Sequence, residues 1–110
     1  MSTAVAENEQ RIGIRQGDVI LVKCYKPTVI PNKLSHLTLA EGEVTGHAHR
    51  MSGGVCTLYG ESDDQPKYLL VEEESTLTHE EHGEHVVDTG WYDVIKQREY
   101  EPNGWRNVAD

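Results

Sequence analysis

No stretch of this chain keeps a helical apolar period for more than about ten residues. Its apolar side chains come in short runs rich in β-branched and aromatic residues, most of them closed by Gly, Pro, Asn or Asp. The strongest run is Val19-Ile20-Leu21-Val22-Lys23-Cys24-Tyr25. It is too short for a typical helix and continuous rather than alternating, which predicts a strand buried on both faces. Gln16-Gly17-Asp18 before it is turn-like, and Lys26-Pro27 and Pro31-Asn32 break the pattern after it. Ser35 to Ala40 alternates polar with apolar and predicts a second strand. A third is expected over residues 43–51, with Ser52-Gly53-Gly54 as a hairpin turn into Val55 to Tyr59. After an acidic turn at 60–66, the segment Lys67 to His79, if extended, puts Leu69, Val71, Leu77 and His79 on one face. Thr78 and Glu81 have capping-box spacing, so one helical turn fits there. Asp88-Thr89-Gly90 reads as a turn into a long strand from Trp91 to Tyr100, followed by a tail in which Trp105 and Val108 pack back.

About six to eight short strands with Gly turns between them make the chain all-β, a small single-domain β-barrel or β-sandwich. Residues 1–12 show no core periodicity and are expected to form a flexible arm, leaving 13–110 as the domain. The hydrophobic content is 36% with no Phe, so the core is modest and a metal or a partner subunit would add noticeably to stability. A formal charge of -9 and a pI near 5.0 argue against nucleic acid and against an anionic membrane surface. No window approaches the ~18 consecutive apolar residues of a membrane span, and the N-terminus lacks the basic start and apolar middle of a signal peptide. A cytoplasmic protein is expected. Cys24 and Cys56 form no CxxC pair and read as small buried hydrophobes.

Five of the six histidines fall in two segments, Gly42 to Arg50 and Thr78 to His85. On a strand His47 and His49 share a face and can grip one ion from adjacent rungs. Whether that face looks at solvent or lines a polar interior is open at this level. His79-Glu80-Glu81-His82 is one residue short of the H-E-x-x-H zinc-protease motif, and the missing cysteine pairs exclude a zinc finger. A nucleophile elbow and a phosphate-binding glycine loop are also absent. The competing interpretation is a solvated, pH-sensitive polar loop, since His79, His82 and His85 stand among Glu80, Glu81 and Glu84. His36 and His85 are assigned to surface or core roles, and Trp91, Tyr92 and Tyr100 to core or interface anchors.

A barrel with a His-x-His strand resembles the cupins. His47 and His49 match their first motif, and Gly42 stands close to its glycine, while the Glu that follows would fall at Gly53 or Gly54. Asp88 to Asp93 is similar to the second motif, with Asp93 in the place of its His and Gln97 in the place of its Asn. The resemblance implies the ligand set His47, His49 and Asp93. The residues themselves favour His47, His49, His79 and His82, a set suited to one divalent transition metal such as Zn, Ni, Fe or Mn. The expected function is therefore a cupin-like metal-binding barrel acting on or sensing a small molecule. No general acid or base stands out beyond Glu81 or Tyr92, so enzyme status stays undecided. The alternative is a non-enzymatic structural subunit that assembles into a homo-oligomer or larger particle through its N-terminal arm and edge strands.

Overall fold

The computed structural model describes residues 13–41 and 46–97, and over these the chain is all-β with no helix. One antiparallel sheet holds β1 (Gly13–Gln16), β2 (Val19–Cys24), β10 (Gly90–Lys96), β7 (Pro66–Glu73), β6 (Val55–Gly60) and β3 (Asn32–Lys33), in that order across the sheet. The other is β4 (Thr38–Glu41), β5 (Ala48–Ser52), β8 (Ser75–Thr78) and β9 (His85–Val87). Ten described strands exceed the expected number, chiefly because β3 and β9 are only two and three residues long. The expected arm over 1–12, the first residues of the His-x-His strand and the tail with Tyr100, Trp105 and Val108 lie outside the described residues.

A single core cluster joins the sheets. Val19, Leu21, Leu58, Leu69, Val71, Tyr92 and Val94 come from the six-stranded sheet, and Leu39, Ala40, Met51, Leu77 and Val87 from the four-stranded one. Alternation along each strand brings this about: Leu69, Val71 and Leu77 share the inward parity expected of them. β2 is a correction. Val19 and Leu21 are fully buried but Ile20 and Val22 only half so, because the outer face of this sheet carries no second layer among the described residues. The outer face instead holds Trp91 against Tyr59, ring centroids 5.5 Å apart. Cys24 and Cys56 are likewise half-buried rather than buried.

The chain changes sheet where local sequence suggests hairpins. β5 and β6 are not partners, so Gly53-Gly54 is a crossing between sheets and not a hairpin turn. Both glycines take positive φ, 73° and 60°, and a Cβ on Gly54 would run into the carbonyl oxygens of Glu73 and Glu74, where β7 passes into β8. Two crossings therefore touch back to back. β1 and β2 do form a hairpin, with Gln16 opposite Val19 and Gly17 at φ 61°. Asp18 keeps negative φ, which makes this a two-residue turn of the II′ kind.

Candidate metal centre

Strand register builds the site. Arg50 on β5 faces Thr78 on β8, and continuing that antiparallel register brings His79 to His49, Glu80 to Ala48 and Glu81 to His47. The contacts follow it. His49 and His79 have ring centroids 4.4 Å apart, the Ala48 N–H donates to Glu80 Oε1 at 2.9 Å, and His47 Nδ1 lies 3.7 Å from Glu81 Oε2. A bulge at Leu39 on the neighbouring β4 lies across from His49 and Arg50 and lets Leu39 and Ala40 both turn inward.

His49 shares the inner side with Met51 and is only 2% exposed. A third element then supplies its partner. Gln16, at the end of β1 and 1% exposed, accepts a hydrogen bond from His49 Nδ1 at 2.8 Å. Its amide nitrogen donates to two backbone carbonyls, Leu77 O at 3.2 Å and Gly83 O at 2.9 Å. Only one orientation of the amide sets NH₂ against two carbonyls, so its oxygen must face the imidazole and the Nδ1 of His49 must carry the proton. His49 Nε2 is left to face Asp18 Oδ1, 3.5 Å away across the β1–β2 turn.

The remaining imidazoles pack around His79. His82 stands 4.6 Å from it and 5.9 Å from His49, and His47 lies 5.7 Å from it edge-on. His82 is exposed, and its ring leans over Gly17: a Cβ there would sit 2.9 Å from His82 Nε2 and 3.2 Å from His49 Cε1. Gly17 therefore answers two demands, positive φ and close approach of the turn to the rings. His47 Nδ1 is buried and has no hydrogen-bond partner among the described residues. One ligand atom from each of His47, His79 and Glu80 can be chosen so that all lie within 4.8 Å of one another.

Glu80 also clamps the loop. The Ala48 N–H and then the Arg50 guanidinium, 2.9 Å from Oε2, hold its carboxyl down at about 2. The expected helical turn after Thr78 does not form. Thr78 Oγ1 donates to Arg50 O, and the Glu81 N–H donates to His79 Nδ1 at 3.0 Å, so the loop's polar groups bond to β5 and to each other.

Of the expected site residues, His47, His49, His79 and His82 come together. Asp93, implied by the cupin resemblance, does not join them: it alternates with inward-facing Tyr92 and Val94 on β10 and so points off the outer face. Burial pushes its carboxyl up, opposed by Lys67. Tyr92 donates its hydroxyl to Asp88 O and serves the core. His36 bonds Asp63 O and the Thr38 N–H, and His85 is exposed. Gln16, Asp18, Gly17 and the clamping role of Glu80 are the parts that residue patterns missed. The only local trace of the first three is a turn-like Gln-Gly-Asp, which says nothing about what the turn meets.

Residues 15–97, which include the β1–β2 turn, the four histidines and Glu80, match the family described as Domain of unknown function (DUF8820), and the chain belongs to that family. No curated protein and no solved structure matches it.

Proposed function

We propose that this member of the DUF8820 family is a small metal-binding β-domain that holds one divalent transition-metal ion in its histidine cluster. The observation that carries the reading is the convergence of donor atoms from His47, His79 and Glu80 within 4.8 Å. With a metal–nitrogen bond of about 2.1 Å, an imidazole centroid lies about 3.2 Å from the ion, and two such rings about 90° to 120° apart have centroids about 4.5 to 5.5 Å apart. Of the observed separations, 4.6 Å lies within that span, 4.4 Å falls 0.1 Å short of it, and 5.7 and 5.9 Å exceed it by less than 0.5 Å. A buried imidazole nitrogen without a hydrogen bond costs about 1–3 kcal/mol, and ligation of His47 Nδ1 would relieve it.

The donors are imidazole and carboxylate, with both thiols elsewhere in the fold, and this mixture suits Zn, Ni, Fe(II) or Mn rather than Cu(I). Glu80, Glu81 and His82 are exposed, so the centre opens to solvent and a small molecule can reach it directly. Such an ion would supply Lewis acidity or a docking point for a small ligand; the protein's part is to fix the imidazoles and hold the loop with Glu80 and Arg50. Calorimetric titration of the metal-free protein with Zn(II) tests the reading. One site per chain is expected, abolished in the His47→Ala, His79→Ala double variant. Titration heats no larger than those of buffer would remove the basis of the proposal.

A further inference from the structure

We infer that Asp18 is a carboxylate ligand of this centre and that Gln16 is the positioning residue that aims His49 at the same ion through Nε2; this rests on the reading that the cluster binds metal. Three observations combine. The Gln16 amide is fixed by Leu77 O and Gly83 O, so His49 Nδ1 is committed as a donor and the ligating lone pair is on Nε2. Metal-bound histidines characteristically give their other ring N–H to such an acceptor, which fixes tautomer and ring plane.

The second observation is a distance. His49 Nε2 and Asp18 Oδ1 stand 3.5 Å apart. A charge-assisted N–H···O bond draws its atoms to about 2.7–2.9 Å. Two donors on one tetrahedral ion with bonds of about 2.1 Å lie about 3.4 Å apart. The spacing matches that of two donors on one ion.

The third is location. His49 packs on His79 with ring centroids 4.4 Å apart, so the His49–Asp18 pair stands beside the imidazole around which the others gather. The turn carrying Asp18 comes close enough only because Gly17 has no side chain where His82 and His49 crowd it. The β1–β2 hairpin thus becomes a third wall of the centre, beside Glu80, whose oxygens also accept from Ala48 and Arg50 and so brace the loop.

The test uses the full chain. Zn(II) affinity is measured by competition with a chromophoric chelator for wild type, Asp18→Asn and Gln16→Leu, and the ¹¹³Cd(II) resonance is recorded for wild type and Asp18→Asn. Loss of a ligand or of its hydrogen-bonded support is expected to weaken Zn(II) about 10- to 100-fold in each variant. Asp18→Asn should also move the ¹¹³Cd resonance, which a merely structural effect would not. Because Gln16→Leu risks unfolding, ¹⁵N spectra of the wild-type histidines serve beside it: Zn(II) loading should shift His49 Nε2 while Nδ1 stays protonated. A wild type that binds Zn(II), with Asp18→Asn of equal affinity and unchanged ¹¹³Cd resonance, would overturn the inference and leave the metal reading standing. A wild type that binds none overturns both.

Discussion

Replacing Gln16 by Ala should be among the most damaging single changes at a polar position in this fold. The side chain is 1% exposed and holds three elements together: it accepts from His49 on β5 and donates to Leu77 O at the end of β8 and to Gly83 O in the following loop. Three hydrogen bonds at a net of about 1 kcal/mol each give about 3 kcal/mol. The buried His49 N–H, left without its acceptor, adds about another 1 kcal/mol. For a domain of this size, each kcal/mol shifts Tm by about 4–8 °C, so a fall of about 15 °C or more is expected. The assay is thermal unfolding by circular dichroism of metal-free protein in chelator, with Gln16→Glu alongside. The Glu variant can still accept from His49 but turns a second oxygen toward two carbonyls, and it should be no better than Ala. A Gln16→Ala protein melting within about 4 °C of wild type would refute the claim that this amide ties the sheets at the site.

Three further outcomes follow from the same geometry. Gly54→Ala should destabilise by about 3 kcal/mol or more in urea unfolding, from positive-φ strain of about 1–2 kcal/mol plus the clash with the Glu73 and Glu74 carbonyls, whereas Gly53→Ala, with open space around it, should show the strain alone; equal effects would sink the back-to-back crossing. The Glu80 carboxyl, lowered from 4.5 to about 2, gives stability that is fully present above about pH 4.5 and lost as pH falls toward 2; in Tm measured against pH, Glu80→Gln should lack that part of the acid slope. Burial, with Asp93 adding to it, raises the Cys24 thiol from 9.0 to about 11, so in a Cys56→Ser variant it should react with a thiol reagent at pH 8 about 100-fold more slowly than an ordinary cysteine.

Much of the fold is legible in the chain because strand periodicity is a local property. The inward parity of Leu69, Val71 and Leu77 needs no knowledge of partners, and the same alternation puts His49 on the inner side with Met51, whereas His47 lies just before β5 and reaches the cluster from outside the strand. Sheet membership is not local. Gly53-Gly54 has the residue types of a hairpin turn, yet the same positive φ carries the chain into the other sheet, and only the distant Glu73–Glu74 backbone decides between them. The continuous apolar run of β2 suggests cover on both faces, but Ile20 and Val22 lie at the half-covered outer side. At the site, imidazoles announce themselves by residue type, while Gln16 and Asp18 meet His49 only through the β1–β2 hairpin, 33 residues away in sequence for the Gln16 bond. Asp93, carried over from a motif spacing, fails because strand alternation turns it off the outer face.

Metal held by the cluster around His47 and His79 can be looked for without any added ligand. The most direct measurement is elemental mass spectrometry of untagged protein, purified without added metal or chelator and run directly from a size-exclusion column with light-scattering detection. Close to one divalent transition-metal ion per chain is expected, absent from the His47→Ala, His79→Ala variant eluting at the same position. Wild-type protein that elutes folded and free of metal, and stays so after incubation with Zn(II), Ni(II), Fe(II) and Mn(II), would contradict it.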